Sequence, residues 1–367
     1  MRIMVAGGGT GGHTSPAVAV IEELQQRDPR LDLVWVGRKG GIEERVCRSL
    51  SLPFRPIPVE GWPRRRTPRK AWAAAKLAWS ILRCRRYIRR FRPQAVFGVG
   101  GYVSLPLLWA AQRKGIPTVL HEQNRLLGMA NRMLAPRATR ILLSFEDTVG
   151  SFPEEAARVV GNPVRAGFRH PPAYAEARAR FELRPDVPVV LVCGGSQGAR
   201  TLNAAMQDVI RALGEDEAQF IWMTGQAAAE EARRAAEGAA ACTRVFAYID
   251  DMVGACAAAD LIVSRAGASS TAEIAVLGKP SVLVPFPFAT DNHQEQNAQA
   301  FVDAGAARML LDADCSGDAL ADAVRDLLGD SARLGAMGEA ARSLAKPDAA
   351  EAIAEEVLSL VFEAGAS

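Results

Sequence analysis

Short apolar runs alternate with helical patterns along the whole chain. In the first half, runs that suit buried strands lie near residues 2–6, 32–37, 95–98, 117–121 and 139–143. The same plan restarts at Val189–Cys193 and continues near residues 219–224, 243–247, 260–264 and 281–285. Strands that alternate with helices form parallel sheets, whose ligands bind beyond the carboxyl ends of the strands. The pattern therefore predicts an α/β chain of two Rossmann-like domains facing a cleft.

Glycine and proline gather near residues 161–172, and this composition marks a domain boundary. We place an N-terminal domain at residues 1–163 and a C-terminal domain at residues 164–348. A last helix, at about 349–363, has no strand after it and is free to pack back on the N-terminal domain. The chain of 367 residues is long enough for two domains with a core each.

Charge separates the two halves of the chain. Residues 1–163 hold 27 Lys and Arg against 12 Asp and Glu, whereas the remainder holds 17 against 29. This split points to an anionic partner of the first half. The apolar runs are too short to span a membrane, and the N-terminus does not resemble a secretory signal. Six scattered cysteines without a CxxC pair suit a reduced, cytoplasmic protein.

Residues 61–121 hold 14 Lys and Arg and no acidic residue. This stretch includes a predicted basic helix over 69–92, in which Trp72 and Trp79 share a face and Arg83 follows them. Basic helices with tryptophan suit the surface of an anionic membrane, and we predict that contact. A solvated basic face over an ordinary buried stripe is the alternative. Nucleic acid is not predicted as a partner, because no recognition motif accompanies the charge.

Four turns rich in small residues follow predicted strands, namely GGGTGG at 7–12, GVGGY at 98–102, GGSQGA at 194–199 and SRAGASS at 264–270. Glycine lets backbone amides approach a ligand closely, and the N-terminus of the following helix attracts anions. In the last turn, Arg265 and several hydroxyl groups are placed to meet a diphosphate. Four such turns in one chain are more than packing requires.

A dinucleotide cofactor is not predicted. The second strand ends in Gly37, Arg38 and Lys39, without the acidic residue that would hold a ribose. Arg38 would suit a 2′-phosphate, so an NADP-dependent oxidoreductase stays as an alternative, although nothing nearby resembles a site for hydride transfer. The sequence offers no cluster of metal ligands with a recognised spacing. We therefore predict neither a cofactor nor a metal.

Three of the four histidines lie at predicted turns or strand ends. His13 closes the first glycine turn, His121 ends a strand, and His293 lies in the segment DNHQEQN. A histidine beside a phosphate-binding turn is a candidate general base, although a lone histidine is more often structural. Glu273, in the first turn of the helix predicted after residue 270, either grips ribose hydroxyls or complements the helix dipole as a solvated residue.

Eight motifs, in order, resemble the MurG family of N-acetylglucosaminyltransferases, which make lipid II from lipid I in peptidoglycan synthesis. The motifs are GGTGGH (8–13), GVGGY (98–102), HEQN (121–124), GNPVR (161–165), GGSQGAR (194–200), YIDDM (248–252), SRAGASSTAE (264–273) and DNHQEQNA (291–298). Each motif alone is weak, but their order along nearly the whole chain is specific. The resemblance implies a GT-B fold and an inverting, metal-independent transfer from UDP-GlcNAc. It also implies a peripheral location at the cytoplasmic face of the cell (inner) membrane.

The resemblance further implies roles for individual residues. His13 matches the family's candidate base. Donor-binding positions are Thr10, Gly11, Gly12, Asn124, Arg165, Ser196, Ile249, Ala268, Ser269, Ser270, Thr271, Ala272, Glu273 and Gln294. Among these, Glu273 matches the ribose-binding acid, the backbone of Ile249 addresses uracil, and Gln294 contacts the GlcNAc hydroxyls. Contacts to the acceptor or the diphosphate are expected from Gly100, Gly101, Tyr102, His121 and Glu122.

From these expectations we predict that the chain moves GlcNAc from UDP-GlcNAc to the C4 hydroxyl of MurNAc in lipid I, with a new β-1,4 linkage. The N-terminal domain would bind lipid I and an anionic membrane surface, and the C-terminal domain would bind UDP-GlcNAc. Two alternatives of other classes stay open. One is the NADP-dependent oxidoreductase, and the other is a non-catalytic, peripheral lipid-binding protein.

Overall fold

Strands and helices alternate through the part of the chain that the computed structural model describes, which is residues 1–9, 11–61, 69–289 and 292–366. Up to residue 169 the elements are β1 (Arg2–Ala6), α1 (Gly11–Arg27), β2 (Asp32–Arg38), α2 (Ile42–Ser49), β3 (Phe54–Ile57), α3 (Arg69–Phe91), β4 (Ala95–Gly98), α4 (Gly101–Gln112), β5 (Thr118–Glu122), α5 (Met129–Leu134), β6 (Arg140–Leu143), β7 (Ala157–Val159) and α6 (Ala166–Arg169). Short 3₁₀ turns lie at Ala135–Arg137 and Glu154–Ala156.

The remaining elements repeat the same alternation. They are α7 (Tyr174–Arg180), β8 (Val189–Cys193), α8 (Arg200–Ala212), β9 (Gln219–Met223), α9 (Ala229–Glu237), β10 (Thr243–Phe246), α10 (Met252–Ala258), β11 (Leu261–Ser264), α11 (Ala268–Leu277), β12 (Ser281–Leu283), α12 (His293–Asp303), β13 (Ala307–Met309), α13 (Gly317–Leu328), α14 (Ser331–Ser343) and α15 (Ala349–Ala366). A 3₁₀ turn at Asp312–Asp314 precedes α13.

The chain divides into two compact units. The first consists of Met1–Ala166 and Lys346–Ser367, and the second is the continuous segment Gly167–Ala345. The division falls inside the glycine- and proline-rich segment of the sequence, three residues after the boundary placed at residue 163. The last helix, α15, belongs to the first unit.

Each unit is built on one parallel sheet. Within the described residues, the sheet of the first unit has seven strands in the order β3-β2-β1-β4-β5-β6-β7, and that of the second has six in the order β10-β9-β8-β11-β12-β13. In both sheets the order reverses beside the first strand of the unit, which is the Rossmann arrangement. The predicted α/β class with two Rossmann-like sheets is therefore confirmed.

Three strands were missed, namely β3, β7 and β13, and all three are edge strands. β3 contains Pro56 and β7 is largely exposed. Edge strands tolerate proline and polar residues because only one side pairs. They therefore lack the continuous apolar run that identified the central strands.

Helix α15 completes the core of the first unit. Its residues Ile353, Val357 and Val361 are buried in the same cluster as Ile3 and Val5 of β1. On its outer side, two arginines of the first unit pair with one carboxylate of this helix, as Arg140 and Arg158 both contact Glu356. The apolar and the ionic contacts together fix the C-terminal segment on the N-terminal sheet.

Two helices begin earlier than the sequence indicated. α1 begins at Gly11, within the turn predicted at residues 7–12, so that Pro16 lies inside the helix, where it removes one backbone hydrogen bond. His13 is therefore a first-turn helix residue and does not lie in the preceding turn. α11 begins at Ala268 rather than at Thr271. As a result, Glu273 lies in the second turn, and the interpretation of this residue as a first-turn acid is wrong.

Candidate functional site

The first glycine-rich turn is held by a carboxylate that the sequence analysis did not single out. Glu43, at the start of α2, is fully buried. It accepts hydrogen bonds from the backbone N–H groups of Gly9 (3.2 Å) and Arg38 (2.7 Å). A Cβ atom at Gly8 would come within 2.6 Å of this carboxylate, and one at Gly41 would meet it equally closely. These glycines therefore make room for the side chain of Glu43. In the sequence, glycines that precede an acidic residue in the first turn of a helix were the signal that could have revealed this contact.

His13 lies in the first turn of α1, partly exposed, and its ring is held from one side. Its Nδ1 atom lies 2.9 Å from Oε1 of Gln123, which follows strand β5. The Nε2 amide group of Gln123 in turn lies 3.0 Å from the carbonyl oxygen of Val99 and 2.9 Å from Nδ1 of His121. The chain of contacts ends where Nε2 of His121 meets the carbonyl oxygen of Gly161 at 3.0 Å.

The structure places His121 and Glu122 inside the first unit. His121 is completely buried, and burial lowers the pKa of its imidazole from 6.5 to about 4. Glu122 is also buried, and its two oxygens accept hydrogen bonds from Asn124, Gly128 and Asn131. Neither side chain faces solvent, and the expected contact of these two residues with the acceptor stays a prediction.

Asn124, expected at the donor, lies in the first unit. Its backbone N–H and its side-chain amide both contact Oε1 of Glu122, at 3.1 and 3.2 Å. The same carboxylate fixes the start of α5 through Gly128. Glu122 thereby determines the shape of the loop that carries Asn124.

The turn after β4 lies against His13. Gly100 and Gly101 have φ angles of +78° and +73°, a region that favours glycine. A Cβ atom at Gly101 would lie 3.1 Å from Cδ2 and 3.5 Å from Nε2 of His13. A Cβ atom at Gly9 would meet the ring of Tyr102 at 3.0 Å. The structure therefore brings Gly100, Gly101 and Tyr102 together with the first turn and His13.

In the second unit, the turn after β8 presents open backbone. Gly195 has a φ of +86°, and a Cβ atom there would have no neighbour within 4 Å among the described atoms. Gly198, by contrast, packs against the backbone of Thr224 and Gly225. Ser196 lies between them and is partly exposed. The turn is therefore anchored at Gly198 and accessible near Ser196.

The N-terminus of α11 is the second open feature of this unit. The residue before it, Gly267, has no described atom within 4 Å of a Cβ position. The first turn of the helix contains no acidic residue, so its N–H groups keep their attraction for an anion. The expected phosphate-facing residues, namely Ala268, Ser269, Ser270, Thr271 and Ala272, all belong to its first two turns.

Arg265 does not meet the expectation of a diphosphate ligand. Its guanidinium is nearly buried, pairs with Asp312 at 2.6 Å, and donates to the carbonyl oxygens of Val284 (3.1 Å) and Pro285 (3.0 Å). The ring of Phe286 lies 5.6 Å from the same group. Arg265 therefore joins two loops of the second unit through its Nη1 atom.

Gln294 lies in the first turn of α12. Its Oε1 atom accepts a hydrogen bond from the backbone N–H of Phe286 at 2.9 Å. This contact holds the carbonyl end of the side chain, which leaves the amide NH₂ end to point elsewhere.

Ile249 has a buried side chain, so the backbone is the part that a ligand can address. Thr10 lies outside the described residues. Arg165 is the penultimate residue of the first segment of the first unit.

Helix α3 carries exposed aromatic side chains on a basic surface. Trp72 and Trp79 are 61% and 59% exposed, and Arg83 on the following turn is also exposed. Lys76 lies between the tryptophans, 5.3 Å from the ring of Trp72. Among the helices of the described ranges, none is long and apolar enough to cross a membrane. Among all the residues that the structure describes, there is no group of three or more His, Cys, Asp or Glu side chains placed to hold a metal ion.

Known proteins share this architecture. Residues 3–143 match the glycosyltransferase family 28 N-terminal domain, and residues 189–353 match its C-terminal domain. A relative from Geobacter sulfurreducens is 40% identical over 361 residues, 98% of each chain, and one from Chlorobaculum parvum is 42% identical over 366 residues, 98% of this chain and 99% of its own. Both are named UDP-N-acetylglucosamine–N-acetylmuramyl-(pentapeptide) pyrophosphoryl-undecaprenol N-acetylglucosamine transferase.

Solved structures agree with these relatives. The crystal structure of MurG from Acinetobacter baumannii superposes with a TM-score of 0.75 at 29% identity, covering 98% of this chain and 99% of that one. A UDP-GlcNAc 2-epimerase from Neisseria meningitidis, bound to UDP-GlcNAc, gives a TM-score of 0.68 at 13% identity, over 98% of this chain and all of the other. The second likeness shows the shared fold alone. Together with the two parallel sheets, the matches identify the architecture as GT-B.

The burial of His121 makes stability depend on pH. Between pH 6.5 and about 4, the unfolded chain binds a proton at this residue that the folded protein does not. The free energy of unfolding therefore falls as the pH is lowered through this window, by about 2 kcal/mol from pH 7 to pH 5 for this residue alone. Urea unfolding of the wild type and of His121→Gln at both pH values measures the difference.

The exposed His170 provides the control. His170→Gln should keep the pH dependence of the wild type, whereas His121→Gln should lose part of it. An equal pH dependence of all three proteins would contradict the neutral, buried state of His121.

Proposed function

The chain belongs to the MurG family of glycosyltransferases, and we propose that it transfers N-acetylglucosamine from UDP-GlcNAc to lipid I, the undecaprenyl-pyrophosphoryl-MurNAc-pentapeptide. This is the transfer for which its curated relatives are named. The placement of His13 carries the proposal from the structural side. Its ring is held through Nδ1 by Gln123, and its Nε2 edge packs against Gly101.

The reaction that we propose is a direct displacement. The C4 hydroxyl oxygen of the MurNAc sugar attacks the anomeric carbon of GlcNAc, and a β-1,4 bond forms as the bond to the diphosphate breaks. UDP carries away the electron pair, and the hydroxyl proton moves to His13. General-base assistance of this kind is worth roughly 10²–10⁴ in rate.

The second unit supplies the donor-binding groups of the proposal. The open turn near Ser196 and the N-terminus of α11 both present backbone N–H groups at the carboxyl ends of neighbouring strands, β8 and β11. Such groups stabilise the negative charge that gathers on the departing UDP. Glu273 would hold the ribose hydroxyls, Gln294 the GlcNAc hydroxyls, and the backbone of Ile249 the uracil.

We place the protein at the cytoplasmic face of the cell membrane as a peripheral protein, with lipid I bound by the first unit. The support is the exposed Trp72 and Trp79 on a helix within a segment that contains no acidic residue. Tryptophan favours the interface of a bilayer, and basic side chains are attracted to anionic lipid headgroups.

The two alternatives from the sequence fit the structure less well. NADP binding needs the backbone amides of the first turn for its phosphates, but the N–H of Gly9 already binds the carboxylate of Glu43, whose charge repels an anion. A non-catalytic lipid-binding protein has no use for the open anion-binding features of the second unit, near Ser196 and at Gly267.

Removal of the ribose contact should weaken donor binding. Glu273→Ala is expected to raise the KM for UDP-GlcNAc about 10- to 100-fold, because a hydrogen bond to a charged group is worth about 1.5–3 kcal/mol. Transfer of labelled GlcNAc to a lipid I analogue, with EDTA present throughout, provides the measurement. Glu237→Ala, an exposed acid on α9, serves as the control. An unchanged KM in Glu273→Ala would remove this residue from the donor site.

A methyl group at Gly101 should obstruct the base. Gly101→Ala places Cβ 3.5 Å from Nε2 of His13, so kcat should fall about 10²-fold, the order of loss that misplaced reacting groups cause. The control is Gly115→Ala, which has a similar φ of +69° but no neighbour within 4 Å. It isolates the backbone strain of alanine at positive φ. Equal activity of the two variants would contradict a role of the Nε2 edge of His13 in the reaction.

Membrane binding is tested with vesicles. The double variant Trp72→Ala/Trp79→Ala should bind vesicles with anionic phospholipid about 10-fold more weakly in a sedimentation assay, because two apolar rings no longer enter the interface. Phe362→Ala removes a ring that is 63% exposed on the acidic helix α15 and should have no effect. An equal affinity of both variants for the vesicles would contradict the proposed contact.

A further inference from the structure

The amide of Gln123 has one orientation that satisfies its neighbours. The side chain is buried, with one end near the carbonyl oxygen of Val99 and the other near Nδ1 of His13. A carbonyl oxygen accepts hydrogen bonds and cannot donate them. The end that faces Val99 must therefore be the NH₂ group, and the end that faces His13 must be the amide oxygen.

His121 supports the same orientation. Its Nε2 atom faces the carbonyl oxygen of Gly161, so this nitrogen carries the proton and Nδ1 carries the lone pair. That lone pair accepts the second N–H of the Gln123 amide at 2.9 Å. A rotation of the amide by 180° would set its oxygen against two acceptors, the carbonyl of Val99 and Nδ1 of His121. Two independent contacts therefore hold the amide in place.

The amide oxygen then determines the protonation of His13. An acceptor at 2.9 Å requires the N–H on Nδ1, and a neutral imidazole has only one N–H. Nε2 is consequently the nitrogen with the lone pair. It lies on the edge of the ring that packs against Gly101.

We propose that Gln123 is a positioning residue which, anchored by Val99 and His121, holds His13 as the Nδ1–H tautomer and makes Nε2 the atom that receives the proton of the acceptor hydroxyl. The role of Nε2 in the transfer rests on the proposed function. The tautomer itself is a property of the protein without substrate, and it is measured separately.

Burial supports this arrangement over a wide pH range. Because the pKa of His121 is lowered to about 4, this residue stays neutral near pH 7 and keeps its lone pair for Gln123. Protonated His121 would present an N–H to the NH₂ group of Gln123. The burial of His121 therefore preserves its Nδ1 atom as the hydrogen-bond acceptor for the NH₂ group of Gln123.

The first test is the nitrogen NMR spectrum of the ¹⁵N-histidine-labelled, ligand-free protein at pH 8. The chain has four histidines, and the His13→Asn spectrum identifies the signals of His13. We expect the signal of a protonated Nδ1 and an unprotonated Nε2 at His13. A protonated Nε2 at His13 in the wild type would overturn the proposal, whatever the activity of the protein.

The second test removes the amide. Gln123→Met keeps the length of the side chain but offers no strong acceptor to His13, so the signals of both tautomers should appear and kcat should fall about 10²-fold. The KM for UDP-GlcNAc should stay within about twofold of the wild type, because the variant leaves the second unit unchanged. An unaltered Nδ1–H tautomer in Gln123→Met would also overturn the proposal.

Gln219→Met is the matched control. Gln219 is equally buried, in the second unit, and its amide donates to the carbonyl oxygens of Arg184 and Val187. The substitution removes about as many hydrogen bonds as Gln123→Met does, but it should leave the tautomer of His13 unchanged. If the wild type shows the expected tautomer but transfers no GlcNAc, the proposed function fails and the positioning by Gln123 stands.

Discussion

The candidate site of the first unit depends on the parallel pairing of three adjacent strands. β1 pairs with β4 and β4 with β5, so that Ala6 lies beside Gly98 and Gly98 beside Leu120. Parallel strands all leave the sheet at the same edge. This constraint brings His13 and Gln123 into contact although 110 residues separate them in the chain, and it places the turn after β4 against both. The order of the strands brings these residues close together, and the hydrogen bonds of the site then fix the orientation of their side chains.

The two units share one plan but use its glycine turns differently. In the first, the N–H of Gly9 donates a hydrogen bond to the buried carboxylate of Glu43 and is therefore already engaged. In the second, the positions of Gly195 and Gly267 are open. The same backbone geometry therefore carries a carboxylate-bound turn in one unit and open glycine positions in the other.

The sequence was sufficient for the fold and for locating the glycine turns, because central strands and glycine turns are local signals. The eight ordered motifs also led to the correct family. The sequence did not reveal the contact of Arg265 with Asp312 or that of His121 with Gly161, since these partners lie 40 or more residues away along the chain. A local pattern describes a residue's neighbours along the chain. Whether a charged or titratable side chain faces a ligand or the protein interior is decided by contacts between distant segments.

The position of α15 also bears on how the protein folds during synthesis. Its side chains fill the core beside β1, yet they follow the whole second unit in the chain. The first unit therefore cannot close its core until the continuous second unit, Gly167–Ala345, has been made. Domains fold as units during synthesis, and here the later one is complete first. Until α15 has been made, the apolar face of the N-terminal sheet around Ile3 and Val5 lacks the part of its cover that this helix supplies.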